Sequence, residues 1–144
     1  MRKIILMLTL GVFSNFTFAG WTEIGSSNGD TVYADSSTSS RNGDAVKIWL
    51  LHDLAIEKIN QGNHYLSEKR LNEYDCKTEE VRSHAHFFFS ENMGSGDVIP
   101  SEAESSYWKL VEPASVDYSS LKLACNRFDE ILSFGKGLLI QMLH

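Results

Sequence analysis

Between residues 21 and 111, short runs of alternating apolar and polar residues are separated by residues typical of turns. The longest run, residues 45–54, has apolar side chains at both odd and even positions. They are Val46, Ile48 and Leu50 on one face and Trp49 and Leu51 on the other. Because a strand with two apolar faces has to be covered on both, the pattern predicts a central strand here. The dipeptides Asn28-Gly29 and Asn42-Gly43 are hairpin signals and predict antiparallel neighbours.

Two later runs differ in how much apolar surface they carry. Residues 65–76 alternate but are rich in charged side chains, so we predict a strand that is not deeply buried. Residues 81–89 predict a strand with one apolar and one solvated face. The apolar face would comprise Val81, Ser83, Ala85, Phe87 and Phe89, and the solvated face Arg82, His84, His86 and Phe88. Two stretches of loop, residues 93–96 and 101–106, are candidates for an exposed surface, and residues 107–111 predict a last strand.

The period of the apolar positions lengthens after Pro113. The positions that recur at spacings of four, three and four are Leu121, Cys125, Phe128 and Leu132. This spacing is typical of an amphipathic helix, with Ser115 as its N-cap, Asp117 in its first turn, and Gly135 and Gly137 ending it. The whole pattern therefore predicts an α+β fold, in which an antiparallel sheet packs on a C-terminal helix.

The first 19 residues have the three parts of a secretory signal peptide. A basic start precedes the apolar run 4–13, and small or polar residues follow it. Thr17 and Ala19 stand at the −3 and −1 positions, which predicts cleavage before Gly20. The apolar run is too short to span a bilayer, which takes about 20 residues. No cysteine stands at the exit, so no lipid anchor is evident, and we expect the mature protein in the periplasm or at the cell surface.

The remainder of the chain divides into one domain, residues 20–134, and a short apolar tail, residues 135–144. Seven residues at the end of the tail are too few to cross a membrane. We expect the tail to pack on its own domain, with a contact to a partner or to a second copy of the chain as the alternative. Monomer and homodimer both remain open at this point.

The charge of the chain excludes one class of partner. The chain has 144 residues, 19 of them acidic and 13 basic, and a formal charge of −6. Arg2 and Lys3 lie in the expected signal peptide, so the mature chain would carry 11 − 19 = −8. Nucleic-acid binding requires clustered lysine and arginine, so the balance argues against nucleic acid as a partner.

Cys76 and Cys125 are the two cysteines of the chain. An even count in an exported protein predicts one disulfide. The bond would close a loop of about 50 residues and join the predicted helix to the end of a strand. The alternative is a pair of metal ligands, for which the sequence offers no third cysteine and no paired histidines at zinc-like spacing.

Two short patterns are candidates for metal-binding or phosphate-binding motifs. The pattern His84-Ala85-His86 predicts two imidazoles on the same strand face, where they could share a metal ion with Glu79 or Glu80. A solvated strand face is the simpler interpretation, because the sequence specifies no third ligand. The run 93–97 lacks the lysine of a phosphate loop and predicts a tight turn.

The sequence contains no organised nucleophile motif. The carboxylates of Glu102 and Glu104 lie in a predicted loop without an apolar surround to raise their pKa values. We therefore predict that the protein is not an enzyme, and that it has no catalytic residue, no metal site and no cofactor.

Several short motifs, spread from Trp21 to Cys125 in a fixed order, resemble the bacterial surface-adhesin protein E-like domain family. They are Trp21, Tyr33-Ala34-Asp35, the run from Arg41 to Trp49, Tyr65-Leu66-Ser67, Glu73-Tyr74-Asp75-Cys76, the run from Met93 to Val98, Trp108 with Pro113, and Cys125. The resemblance implies a twisted antiparallel sheet of about six strands that holds a C-terminal helix, tied by one disulfide.

The same resemblance implies adhesion, in which an exported, non-catalytic module binds host extracellular-matrix or serum proteins. No individual binding residue is carried over from the family. The alternative is a periplasmic accessory or inhibitor protein. Both interpretations imply a protein partner.

Overall fold

The computed structural model describes residues 20–99, 101 and 107–126. Several features predicted from the sequence lie outside these residues. They are the signal peptide 1–19, the tail 135–144, the helix positions Phe128 and Leu132, the helix-ending Gly135 and Gly137, and the loop residues Glu102 and Glu104.

The described residues form one antiparallel sheet and one helix. The strands are β1 (Trp21–Ser27), β2 (Asp30–Asn42), β3 (Ala45–Asn60), β4 (Asn63–Asp75), β5 (Glu80–Phe89), β6 (Val98–Ile99) and β7 (Lys109–Leu110). They follow the order β1-β2-β3-β4-β5-β6, and β7 pairs with β5. The helix α1 covers residues 116–126, and a short 3-10 turn covers Asn92–Gly94. The α+β class predicted from the sequence is confirmed.

Two-residue turns connect the first four strands. Asn28 and Gly29 both have positive φ angles, 54° and 86°, which is the backbone conformation that tight hairpins need and that these residues tolerate. The second turn begins one residue later than the Asn42-Gly43 signal, because Asn42 still pairs with Ala45. Both predicted hairpins are confirmed.

The main core lies between the sheet and α1. Val46, Ile48 and Leu50 of β3 are at most 1% exposed and share this side of the sheet with Tyr74. We call this side the helix face. Leu51, on the other side of β3, is also fully buried. β3 pairs with both β2 and β4, so the predicted central strand, apolar on both faces, is confirmed.

The helix is held at its start and near its end. The Ser115 hydroxyl accepts a hydrogen bond from the Tyr118 backbone N–H at 3.1 Å, as expected of an N-cap. Leu121 and Cys125 are buried against the sheet. Cys125 forms a disulfide with Cys76 across a Cα–Cα distance of 5.7 Å, which confirms the predicted pairing and excludes the alternative of two metal ligands.

The prediction that the fourth strand is not deeply buried is wrong. Its buried polar residues are Ser67, Glu68, Asn72 and Glu73, all at most 7% exposed. Ser67, Glu68 and Glu73 have hydrogen-bonding or charged partners on neighbouring segments, and Asn72 donates to the Tyr74 hydroxyl on its own strand. These partners offset the cost of removing the polar side chains from water. Alternation in the sequence does not reveal such partners.

The predicted faces of β5 are wrong beyond residue 83. Asn72 pairs with Ser83 but Leu71 pairs with Ala85, so His84 is an extra residue in a β-bulge. A single inserted residue reverses which side chains face which side of the sheet. Phe88 is therefore buried on the helix face at 8% exposure, whereas Phe87 lies on the other face at 42% exposure.

Candidate functional site

The side of the sheet opposite α1 carries all three tryptophans of the chain. Trp21 and Trp49 lie in one cross-strand row, each opposite Asp35 of β2. Trp108, just before β7, lies against Arg82 at the β5 edge. The ring of Phe87 stacks on that of Trp49, with centroids 6.1 Å apart. We call this side the aromatic face, and the tryptophans on it are half-buried.

Two cations lie among these rings. The ammonium of Lys69 is 4.9 Å from the centroid of Phe89 and 5.9 Å from that of Trp21. The guanidinium of Arg82 is 4.4 Å from the centroid of Trp108. All three distances fall within the range of cation–π attraction, so the rings and the cations hold one another in position.

A buried carboxylate, that of Glu73, binds two side chains of β5 on the aromatic face. Glu73 accepts hydrogen bonds from Arg82 Nε at 2.5 Å and contacts His84 Nε2 at 2.6 Å. Burial would raise the pKa of Glu73, but the hydrogen bonds and charges of Arg82 and His84 outweigh it, and the pKa lies below its usual value. Glu73 is therefore ionised at neutral pH.

A shallow pocket of about 110 Å³ lies at the same end of the face. Its lining residues are Ser40, Arg41, Asn42, Ala45, Lys47 and Glu73. Within the part of the chain that the structure describes, the ammonium of Lys47 forms no ion pair. The pocket is polar, in contrast to the aromatic rings beside it.

The loop over residues 90–97 covers the opposite end of the face. The Met93 N–H donates to Asp53 Oδ1 at 2.6 Å, and the Gly94 N–H donates to Ser67 Oγ at 2.8 Å. The loop closes where the Ser90 N–H donates to the Asp97 carbonyl at 3.0 Å. Inside it, the predicted tight turn over residues 93–97 is replaced by a 3-10 turn that begins one residue earlier, at Asn92–Gly94. Its backbone lies against the stem of Lys69 and limits where that side chain can move.

A second charged cluster lies on the helix face. Glu68 is surrounded by Arg70 Nη2 at 2.9 Å, His86 Nε2 at 2.8 Å and His52 Nδ1 at 3.8 Å. Burial would raise the pKa of Glu68, but the hydrogen bond from His86 and the charges of Arg70 and His52 lower it to about 2. For His52, burial is the largest effect and lowers its pKa. The cluster is thus built around an ionised carboxylate.

Acid should therefore destabilise the protein. Ionised Glu68 adds to the free energy of unfolding. This stabilisation is fully present above the ordinary pKa of 4.5 and is lost as the pH falls from there through about 2. The lowered pKa of His52 acts in the same direction, because the unfolded chain takes up a proton near pH 6.5 before the folded chain does. We expect urea unfolding to show a loss of about 2 kcal/mol from Glu68 between pH 7 and pH 3. A Glu68→Gln variant should show a shallower decline below pH 5, and parallel curves would contradict this account.

The prediction that His84 and His86 share a strand face is wrong. His84 contacts Glu73 on the aromatic face, whereas His86 contacts Glu68 on the helix face, because the bulge at His84 reverses the alternation. Glu79 instead pairs with Lys122, and Glu80 accepts a hydrogen bond from Thr78. Over residues 20–99, 101 and 107–126, no group of three or more His, Cys, Asp or Glu side chains could hold a metal ion.

The sequence pattern does not predict that the three tryptophans lie on one face of the sheet. Trp49 was placed on the side away from Val46, which is correct, but its neighbours depend on the register between strands. Counting back from the two-residue Asn28-Gly29 turn pairs Trp21 with Ser36, whereas the bulge at Ile24 moves its partner to Asp35. Because that shift reverses the face, the hairpin signal by itself could not have placed Trp21 on the aromatic face. Among the described residues, no helix is long and apolar enough to span a bilayer.

Comparison with known proteins supports the fold and the assignment by resemblance. The family described as surface-adhesin protein E matches residues 21–126. Two crystal structures of Haemophilus influenzae protein E each superpose with a TM-score of 0.63 at 13% identity. One covers 77% of this chain and 91% of its own length, and the other 78% and 88%. A structure of protein E from non-typeable Haemophilus influenzae has a TM-score of 0.57 at 13% identity, covering 78% and 79%. No curated protein matches the sequence. At this identity the structures show a shared fold.

Proposed function

The chain belongs to the surface-adhesin protein E family, and from that premise we propose that it is an exported, non-catalytic module that binds extracellular-matrix or serum proteins of a host. The observation that carries the proposal is the family match, which covers the sheet, the helix and both cysteines. Because the solved relatives share only 13% of their residues with this chain, the fold alone does not specify the ligand.

The aromatic face supports a binding role. Tryptophan, tyrosine and arginine dominate the energetics of protein interfaces, and this face groups three tryptophans with Arg82. Phe87 stacks on Trp49 and contributes an apolar ring that is 42% exposed. A half-buried aromatic surface can bury further area against a partner at little cost in conformational entropy, because its side chains already hold one another in position.

The carboxylates support a role without catalysis. A general acid at neutral pH needs a carboxyl group with a raised pKa. Glu68 and Glu73, the buried carboxylates among the residues that the structure describes, both have lowered pKa values because cationic partners surround them. Such groups stabilise structure and hold neighbouring side chains, and they do not supply protons.

Binding can be tested with the purified mature chain on a biosensor. The panel should contain purified matrix glycoproteins and fractionated serum proteins. We expect saturable binding to at least one of them, and a loss of about tenfold in affinity for Phe87→Ser. The matched control is Ile56→Ser, since Ile56 is 75% exposed on the hairpin between β3 and β4 and should leave affinity within about twofold.

Location is tested by adding protease to intact cells that carry a tagged copy, with a known periplasmic protein as the control. Removal from intact cells would place the protein at the surface, as adhesion requires. Protection until the outer membrane is opened, together with no binding across the panel, would overturn the proposal in favour of a periplasmic accessory role.

A further inference from the structure

We infer that the aromatic face takes an extended segment of a protein partner in which two carboxylates flank an apolar side chain. The inference rests on the proposed function, because it specifies the chemistry of the partner at that surface. It is carried by two lysines, Lys47 and Lys69, which lie on either side of a row of apolar side chains.

Neither lysine has a carboxylate partner within the described part of the chain. The nearby carboxylates already have donors. Glu73 is held by Arg82 and His84, and Asp53 by the backbone N–H of Met93. The ammonium groups of Lys47 and Lys69 are therefore the charges on the β3–β5 half of this face that are left to attract an anion. They are also half-buried, which increases their interaction with an opposite charge.

The other half of the face has the opposite character. Asp35 of β2 and Glu23 of β1 lie towards the edge of the sheet. An acidic segment would be repelled there and attracted over β3, β4 and β5. The distribution of charge on this face therefore favours an acidic segment and favours its binding over β3, β4 and β5.

The spacing of the two lysines sets the spacing of the two acids. Lys69 is directly opposite Leu51, which is four residues beyond Lys47 along β3. Four residues of strand span about 13 Å. Between them lie the cross-strand partners Trp49 and Leu71. Phe87 is the cross-strand partner of Lys69, and its ring stacks on that of Trp49. An extended segment with acids at positions 1 and 5 and an apolar residue at position 3 presents all three on one face, and matches this arrangement.

The probe is a synthetic peptide, acetyl-Asp-Thr-Phe-Thr-Asp-amide. Its controls replace both aspartates with asparagine or with lysine. Titration into the ¹⁵N-labelled mature chain should shift the amide and indole signals of the aromatic face. We expect the aspartate peptide to bind about fivefold more tightly than the asparagine peptide, with the difference abolished by 0.5 M salt. Equal affinity of the aspartate and asparagine peptides would overturn the inference.

Variants of Lys47 and Lys69 test whether these two lysines cause the preference for the aspartate peptide. The double variant Lys47→Met and Lys69→Met keeps the apolar stems and removes both charges, so it should bind the two peptides equally. Lys122→Met is the control, because Lys122 lies on α1, on the other side of the sheet, and its exposed pair with Glu79 adds little to stability. A preference for the aspartate peptide that survives in the double variant would overturn the assignment.

The two proposals fail in different ways. If a matrix or serum protein binds the wild-type chain and the double variant equally well, the proposed function stands and this inference is wrong. If no such protein binds, but the preference for the aspartate peptide depends on the two lysines, this inference stands. The proposal that the chain binds a host matrix or serum protein is then wrong.

Discussion

Replacing Cys76 and Cys125 with alanine should lower the free energy of unfolding by about 4 kcal/mol. The disulfide joins residues 49 positions apart, and closing so long a loop restricts the unfolded chain far more than the folded one. A small domain has about 5–15 kcal/mol of stability in total, so the variant should be close to unfolding at physiological temperature.

The measurement is urea unfolding of the double alanine variant beside the oxidised and the reduced wild-type chain. Reduction should reproduce most of the loss, because it removes the bond and keeps the sulfur atoms in the core. A loss below about 1 kcal/mol in both would contradict the entropic argument and indicate that the unfolded chain is already compact.

The second large effect is expected at Glu68. Changing Glu68→Gln removes the anion around which Arg70, His52 and His86 are arranged, while keeping the size of the side chain. Loss of one partner from a buried ion pair costs about 3–5 kcal/mol, because the remaining charge is left without compensation. Arg70 is 34% exposed and can turn partly to solvent, so we expect the lower end, about 3 kcal/mol at pH 7.

Glu57→Gln provides the matched control for Glu68→Gln. Glu57 also contacts a histidine, His64, at 2.6 Å, but both side chains are about half exposed. Exposed pairs contribute little, so this variant should lose less than about 1 kcal/mol. If the two variants lose equal stability, burial is not what makes the Glu68 cluster important.

Part of the site was accessible from the sequence through its separate elements. Alternation places Trp49 on β3, on the side away from Val46, as the structure has it. The sequence also predicts a turn over residues 93–97, and the structure has a 3-10 turn at Asn92–Gly94. The sequence could not show that this turn folds back over Asp53 and Ser67, which lie 40 and 27 positions before Met93 and Gly94. Contacts of that range depend on how β3, β4 and β5 are registered against one another.

The errors have a common physical origin. The prediction for residues 65–76 treated each polar side chain by itself, whereas Glu68 and Glu73 are buried with partners from other strands. The prediction for residues 81–89 assumed strict alternation, which the bulge at His84 interrupts. A bulge is stabilised by its fit to the neighbouring strand, and the sequence of one strand does not report that fit.

By itself, the sequence determined the features that depend on short-range patterns and on covalent pairing. Alternation located β3, glycine and asparagine located the hairpins, Ser115 located the start of α1, and two cysteines allowed one disulfide. The tertiary structure alone decided which side chains meet: three tryptophans with Lys69 and Arg82 on one face, and His52, Glu68 and His86 on the other. These groupings join distant segments, and their energies come from burial and charge pairing that exist only once the strands are in register.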